Sequence, residues 1–434
     1  MRLVDLFSSA DPLTRRGFLS LTARRLLGVA ALPVLVRAPE AGGDEPVPLG
    51  PATARNVIYL FMRGGMSHLD TFDPKPGAKT QGPVQAIATS ADGVQLSEYL
   101  PLLARQMHRA AVVCSLHSTQ GAHEQAEYLL RTGYTLRGTV RHPSLGAWVN
   151  RLAGKVNPTL PGHVLIGGSG DMATAGFFPP QYLPLPIGDP ESGLKNSARP
   201  KGVSEEAFQR RLARLRAMNE AFEQAHGHRQ VRAYAGMYDE AVKLMRSPDL
   251  VAFDMTQEPE WVRQAYGDAN FGQGCLLARR LVEHGVRYVE VVIGGWDTHN
   301  QNFETMSERC PVVDRAVAAL LADLDARGLL SETLVVIATE FGRTPDIRRD
   351  TSGRDHYPKA FAALLAGGGI KGGVRYGKTD AEGREIVERP LSIPDFNATI
   401  AHALGLPLEH VVTSPEGRPF TVADKGRPAL ELFA

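Results

Sequence analysis

The chain has 434 residues, with 48 Lys and Arg against 47 Asp and Glu and a formal net charge of +1. This length can bury a large core, and the balanced charge argues against a nucleic-acid partner, which usually needs a broad basic surface. The three cysteines, Cys114, Cys275 and Cys310, are too far apart in sequence for a cysteine metal motif. Their odd number also excludes a fully paired disulfide framework. The 44 glycines and 30 prolines fit a loop-rich α/β enzyme better than a helical bundle.

The N-terminus has the layout of an export signal. Arg15 and Arg16 precede an apolar run at 26–36, which small residues follow. The Arg-Arg pair before Phe-Leu resembles the twin-arginine (Tat) signal, whose export machinery carries folded proteins across a membrane. The alternative is an amphipathic first helix, because the apolar run is too short to span a bilayer. We therefore expect residues 1–45 to be signal and linker, and residues 46–434 to form the folded domain.

Apolar segments of strand length recur along the rest of the chain and alternate with segments of helical period. The predicted strands are residues 57–62, 110–117, 163–170, 288–293 and 333–339. Near-continuous apolar strands alternating with helices predict an α/β fold, with a mostly parallel central sheet covered by helices on both faces. Charged helical sequence at about 200–260 is predicted to be an insertion, either a cap over a site or a solvated helical pair. No membrane span is expected after removal of the signal.

Polar residues cluster where four of these strands end. The clusters are Ser67 to Asp70, His117 to Glu124, Asp297 to His299, and Glu340 to Arg343, with His356 in the next loop. Ligands of open α/β sheets bind outside the carboxyl ends of the strands, so these clusters are expected to converge. Asp and His without Cys are ligands for zinc, manganese or a similar divalent ion. The alternative for Asp297 is that it caps a turn.

Four motifs carry a family resemblance that covers the chain after the signal. They are "FMRGGMSHLDTFDPKP", "GGWDTHNQNF", "ATEFGRTP" and "GRDHYP". They closely resemble a family of Tat-exported bacterial proteins known as domain of unknown function 1501. That family in turn resembles the alkaline phosphatase/sulfatase superfamily, which implies an alkaline-phosphatase-like three-layer sandwich.

The resemblance also implies a set of metal ligands. By position, Asp297, His299 and His356 would form one metal site, and Glu340 would serve a second. The implied cofactor is a divalent metal, zinc first, with manganese or calcium as alternatives. Two neighbouring metals in such enzymes activate a nucleophile and neutralise charge on a phosphoryl group.

Several residues depart from the superfamily pattern. Phe341 stands where a metal histidine would follow Glu340, and Arg63 and Gly64 stand where the first strand would end in an aspartate. His68 and Asp70, with Asp73 as a further alternative, are candidate replacement ligands.

The expected nucleophile is also missing from its usual place. The sulfatase motif Cys-x-Pro-Ser-Arg is absent, so a formylglycine-type sulfatase is not expected. His123 or Glu124 falls near the nucleophile position, at the start of a predicted helix whose N–H groups favour an anion. Ser118 and Thr119 are fallback nucleophiles. The catalytic candidates are thus His123, Ser118 and Arg343.

Arg343 is predicted to bind an anionic group through its guanidinium, with a surface ion pair as the alternative. Two functions remain open. One is a periplasmic or extracellular metal-dependent hydrolase of phosphate or sulfate esters, with a sulfated or phosphorylated glycan as the expected partner. The other is a non-catalytic binding or assembly protein on a degenerate phosphatase-like fold.

Overall fold

The computed structural model describes residues 48–168, 174–195, 197–199, 201–226 and 239–434. The predicted signal and linker at 1–45 lie outside these residues, so export stays a prediction. None of the helices in the described part of the chain is long and apolar enough to cross a membrane.

The described strands are numbered in chain order. They are β1 Asn56–Met62, β2 Ala86–Ala88, β3 Gln95–Ser97, β4 Ala110–His117, β5 His163–Ile166, β6 Leu185–Ile187, β7 Tyr288–Ile293, β8 Thr333–Ala338, β9 Gly342–Arg343, β10 His356–Tyr357, β11 Phe361–Ala366, β12 Val374–Tyr376, β13 Lys378–Thr379, β14 Ile386–Glu388, β15 Leu391–Ser392, β16 Val412–Thr413 and β17 Pro419–Phe420.

Nine of the described strands form one sheet in the order β12-β4-β11-β8-β1-β7-β5-β6, with β15 paired to the end of β4. β1 lies between β7 and β8 and is parallel to both. β11 is antiparallel to its neighbours β4 and β8, so it begins at the edge where the other strands end. The remaining described strands pair as short two-stranded sheets, among them β9 with β10.

The described α-helices are likewise numbered in chain order. They are α1 Pro101–Ala104, α2 His123–Thr132, α3 Leu145–Leu152, α4 Glu205–His226, α5 Glu260–Tyr266, α6 Asn270–Glu283, α7 Asn302–Ala326 and α8 Ile393–Ala403. α4 falls within the predicted insertion, and the domain boundaries themselves stay predictions.

Helices cover the sheet on both faces. Along β1, successive side chains point to opposite faces, so Ile58 and Leu60 join one hydrophobic cluster while Val57 and Tyr59 join another. The first cluster contains apolar residues of α1, α5, α6 and α7, and the second contains those of α2, α3 and α8. Every residue of β1 is buried, as expected for a parallel strand covered on both sides. The predicted α/β fold, mostly parallel with helices on both faces, is confirmed.

Candidate metal centre

The candidate site lies at the edge of the sheet where the parallel strands end. The loop after β7 carries Asp297 and His299, and Glu340 follows β8 directly. His356 lies on β10, just before the antiparallel strand β11 begins at this same edge. His123 is the first residue of α2, which follows β4. The sheet topology therefore brings together residues more than 200 positions apart.

Four side chains converge on one point, and we call them the ligand cluster: His123, Asp297, His299 and His356. The Nε2 atoms of His299 and His356 are 3.0 Å apart. The Asp297 Oδ1 lies 3.2 Å from His299 Nε2, 3.3 Å from His356 Nε2 and 3.4 Å from His123 Nε2. The ligand atoms of His123, Asp297 and His356 also lie within 4.8 Å of one another, a spacing that suits a metal ion.

Each histidine of the ligand cluster is anchored through its other ring nitrogen. The Nδ1 of His299 lies 2.8 Å from the Asp355 carboxylate, and the Nδ1 of His356 lies 2.8 Å from the Gly121 carbonyl oxygen. A carbonyl or carboxylate only accepts, so each Nδ1 carries the proton. Each Nε2 then presents a lone pair to the cluster, which is how metal-ligating histidines are usually held.

His123 follows the same arrangement with Glu340 as its anchor. The Nδ1 of His123 lies 2.8 Å from Glu340 Oε1, while its Nε2 has no hydrogen-bond partner within the described parts of the chain. The hydrogen bond with Glu340 is the main cause that raises the pKa of His123, against the opposing effect of burial. The surroundings of His123 thus favour a positive charge at this imidazole, whether from a proton or from a bound cation.

His356 shows the opposite electrostatic tendency. Burial lowers its pKa, and the nearby positive charge of Arg343 adds to this, while the hydrogen bond with Gly121 opposes it. A neutral imidazole with a free lone pair is the form that binds a metal.

Asp297 is held as a carboxylate by Arg343. Partial burial would raise the pKa of Asp297, but the hydrogen bond and charge of Arg343 outweigh this and lower the pKa to about 2. The Arg343 Nη2 donates to Asp297 Oδ1 at 2.6 Å. The Asp297 side chain remains 49% exposed, so the ligand cluster is open to solvent on one side.

The structure places Arg343 beneath the site and not on its surface. Its side chain is fully buried, and the guanidinium also donates to the carbonyl oxygens of Gly64, Gly65 and Arg354. These contacts make Arg343 a positioning residue for Asp297. The predicted anion-binding role does not match this placement, because a fully buried guanidinium has no face toward solvent.

The two glycines are required by this packing. Gly64 and Gly65 have φ values of 123° and 84°, a region that L side chains rarely adopt. A Cβ on Gly64 would lie 2.6 Å from the Asp297 backbone nitrogen, and one on Gly65 would lie 2.6 Å from the Phe341 ring. The Gly64 N–H donates to Glu340 Oε1 at 2.9 Å, so this turn also orients the anchor of His123.

A second group of potential ligands shares His123 with the first. The ligand atoms of His123, Glu127 and Glu340 lie within 4.8 Å of one another. Glu127 was not anticipated from the sequence, although its position four residues after His123 on one helix puts both on the same face. The Phe341 ring packs on His356 and His123 at centroid distances of 4.5 and 4.9 Å.

The structure does not bring His68 and Asp70 into either ligand group of the described residues. Asp70 is fully buried and accepts from Arg354, Asn302 and Ser67. His68 is also buried, and its Nε2 lies 2.9 Å from the Gly383 carbonyl oxygen. Their predicted ligand role thus does not fit, because buried hydrogen bonds hold both side chains outside the two ligand groups.

Ser118 lies in the loop that leads to His123. Its hydroxyl accepts from the Gln120 backbone at 3.0 Å, and its own N–H donates to the Pro358 carbonyl oxygen at 2.8 Å. These bonds tie the loop to the segment of His356. They give Ser118 a structural part in the site, and a nucleophilic role stays a prediction.

The donor set fits a zinc-type ion. For metal–ligand bonds of about 2.0–2.1 Å in a tetrahedron, neighbouring donor atoms are separated by roughly 3.3 Å. The distances of Asp297 Oδ1 from the three Nε2 atoms, and the one between the Nε2 atoms of His299 and His356, are 3.0–3.4 Å and agree with this spacing. Three imidazole nitrogens and one carboxylate favour zinc over calcium, which prefers oxygen ligands.

Residues 54–433 match a family described as protein of unknown function (DUF1501). The chain belongs to this family. The resemblance noted in the sequence motifs is thereby confirmed. A search of curated proteins finds no relative that matches.

Among solved structures, the chain is similar to the PsFucS1 sulfatase from Pseudoalteromonas sp., with 12% identity, 86% of this chain and 73% of that chain covered, and a TM-score of 0.40. It is similar to an alkaline phosphatase superfamily protein from Vibrio parahaemolyticus, with 9% identity, coverage of 97% and 79%, and a TM-score of 0.38. It is also similar to the C-terminal periplasmic domain of EcEptC from Escherichia coli in complex with Zn, with 11% identity, coverage of 88% and 90%, and a TM-score of 0.37.

Proposed function

We propose that this protein is an exported, metal-dependent hydrolase of phosphate or sulfate esters. The proposed ligands of its single zinc-type ion are His123, Asp297, His299 and His356. The observation that supports this most is the state of the three imidazoles. Each Nδ1 faces an acceptor, and each Nε2 faces the others or Asp297. Lone pairs 3.0 Å apart repel unless a cation lies between them.

The bound ion would supply Lewis acidity toward an ester oxygen and would activate water at neutral pH. The protein's part is to hold the four donors in place. Asp355, Glu340 and the Gly121 carbonyl fix the imidazole orientations, and Arg343 keeps Asp297 ionised. Since His123 occupies the start of α2, water takes the place of a side-chain nucleophile in this proposal.

The open side of the ligand cluster supports catalysis over a purely structural ion. Structural zinc sites are usually closed, whereas catalytic sites keep a position for water or substrate. Here the side chains of Asp297 and His299 are 49% and 37% exposed. The substrate class proposed is an anionic ester on a sulfated or phosphorylated glycan outside the cytoplasm, which follows from the family resemblance and the signal-like N-terminus.

The alternative is a binding or assembly protein. It is favoured by the presence of four protein donors, enough to fill a tetrahedral shell without a substrate. Metal content and turnover together distinguish the two functions.

The decisive experiment measures metal in the purified protein and its activity on a panel of phosphate monoesters, phosphate diesters and sulfate esters. We expect about one zinc per chain and slow turnover that chelation abolishes and added zinc restores. His299→Ala and His356→Ala should each lose most of the bound metal, because each removes one of four donors. His123→Ala should lose metal as well.

The matched control is His410→Ala, a histidine outside both ligand groups of the described residues. It should retain full metal content. Equal metal in all four variants would refute the ligand cluster. Full metal loading without turnover on any ester would favour the binding protein instead.

A further inference from the structure

The second ligand group, His123, Glu127 and Glu340, already pairs with a positively charged side chain, that of Arg63. Arg63 Nε donates to Glu127 Oε1 at 2.7 Å. The other carboxylate oxygen of Glu127 accepts from Arg131 at 3.4 Å. Glu127 is one of the three residues whose ligand atoms lie within 4.8 Å of one another, with His123 and Glu340. The Arg63 guanidinium therefore occupies the Glu127 carboxylate, which a second metal ion would need as a ligand.

The backbone of Arg63 is fixed at the edge of the sheet. It directly follows β1, and its N–H donates to the Ile293 carbonyl oxygen at the end of β7. The next residue, Gly64, donates to Glu340. Arg63 thus stands in the strand-end position where the superfamily resemblance expects a metal-binding aspartate. A cation has replaced an anion at that position, which reverses the local charge.

Arg63 differs from the other arginines of this region in its exposure. Its side chain is 51% exposed, whereas those of Arg131, Arg343 and Arg354 are almost or fully buried. Within the described residues its one ion pair is made through Nε. No hydrogen bond or ion pair of its Nη1 and Nη2 groups is found within the described residues, and the Glu127 that holds its Nε lies next to His123 of the ligand cluster.

We propose that Arg63 takes the place of a second metal ion and binds the anionic group of the ester. This inference rests on the proposed function, because it names the residue that recognises the substrate of that same site. Glu127 holds the guanidinium by its Nε edge, and the Nη edge binds the oxygens of a tetrahedral phosphate or sulfate group. The centre then works with one metal ion and one guanidinium.

Two binding measurements test this inference. The first is metal stoichiometry, where we expect about one zinc per wild-type chain and the same in Arg63→Met. In Arg63→Asp, a carboxylate joins Glu127 and Glu340 while His123 Nε2 stays with the first ion, and we expect a second equivalent to bind. Two equivalents in the wild type would overturn the inference.

The second measurement is binding of inorganic phosphate and inorganic sulfate to the zinc-loaded protein by calorimetry. Arg63→Met should weaken phosphate binding by about 10- to 100-fold, the scale of one or two charge-assisted hydrogen bonds. The phosphate affinity of Arg63→Lys should lie between those of the wild type and Arg63→Met, because lysine keeps the charge and loses the bidentate geometry. Inhibition of aryl ester turnover by the same anions separates binding at the substrate position from binding elsewhere.

The matched control is Arg109→Met, which removes an arginine paired to Asp325 away from the site. It should bind phosphate as the wild type does. Unchanged phosphate binding in Arg63→Met, with its zinc retained, would overturn the inference while leaving the proposed function intact. A wild type that binds no metal and hydrolyses no ester would instead refute the proposed function.

Discussion

Two polar clusters at the same edge of the sheet look alike in sequence and differ in structure. One is the ligand cluster, which includes Asp297 and His299. The other is built on Asp70, whose carboxylate accepts from Arg354, Asn302 and Ser67 and is fully buried. In the first, nitrogen lone pairs face each other across 3.0 Å and solvent reaches the carboxylate. In the second, both oxygens of the Asp70 carboxylate accept hydrogen bonds from buried groups.

The difference teaches what separates a candidate ligand from a structural polar residue. A buried carboxylate must be compensated, and Arg354 does so for Asp70 from 284 residues away. In the ligand cluster, Asp355 and Glu340 hold the outer Nδ1 atoms of His299 and His123, and Arg343 donates to the Asp297 Oδ1 that faces the Nε2 atoms. The three Nε2 atoms are left for a cation.

The largest expected effect comes from disrupting the buried cluster that is built on Asp70. Asp70→Ala leaves Arg354 buried and unpaired, which should lower the free energy of unfolding by about 3–5 kcal/mol. Zinc content per folded molecule should not change. Denaturant titration and metal analysis measure the two quantities.

Glu388→Ala is the control, since its pair with Lys378 is exposed and such pairs contribute at most about 1 kcal/mol. A loss of zinc in Asp70→Ala protein that remains folded would contradict the structural assignment of Asp70 and return it to the ligand set.

A smaller effect, on metal affinity, is expected when the hydrogen-bond partner of an Nδ1 atom in the ligand cluster is removed. Asp355→Ala removes the acceptor of His299 Nδ1, and loss of such a partner typically weakens metal binding by about 10- to 100-fold. Competition with a chelator of known zinc affinity measures this change. Asp350→Ala, which removes an exposed acid of the same loop, should leave the affinity unaltered. Equal affinities in both variants would show that Asp355 does not support the cluster.

The smallest expected effect concerns His163, a buried histidine that lies outside both ligand groups. His163 on β5 is buried, and neither ring nitrogen has a hydrogen-bond partner within the described residues, yet it joins neither ligand group. Burial lowers its pKa to about 3, and the charge of Arg131 adds to this. Unpartnered nitrogens alone therefore do not make a metal site; several must converge.

This pKa predicts a pH dependence of stability. The folded protein keeps His163 neutral, while the unfolded chain takes up a proton below its ordinary pKa of 6.5. Stability is therefore lost as the pH falls from 6.5 toward 3, by roughly 1 kcal/mol at pH 5.5. His163→Phe should remove this contribution to the difference in the free energy of unfolding between pH 8 and pH 5.5. His108→Gln, at an exposed site, should not remove it. An identical pH dependence in wild type and His163→Phe would contradict the buried neutral state.

Much of the fold followed from the sequence because its signals are local. The apolar runs of β1, β4, β7 and β8 lie where they were expected, and the polar residues after them do meet at one edge. The antiparallel direction of β11 was not predicted, since strand direction depends on contacts between distant segments.

The candidate site was predictable only in part. Asp297, His299 and His356 came from motifs, but the pairing of Asp70 with Arg354 and of Asp297 with Arg343 joins segments that no local pattern relates. Glu127 had a usable signal in its helical spacing from His123. Arg63 was noted only as a departure from an expected aspartate, and its role depends on Glu127.

The hairpin of β9 and β10 connects binding of the proposed ion to the stability of the folded chain. His356 lies directly opposite Arg343 in this pair, so one short ladder carries a ligand and the residue that orients Asp297. A bound ion would join His299 to His356 across 57 residues, as a staple that the unfolded chain does not hold. Opening of the hairpin would then displace His356 and weaken binding of the ion. A bound ion should therefore protect the hairpin loop from proteases.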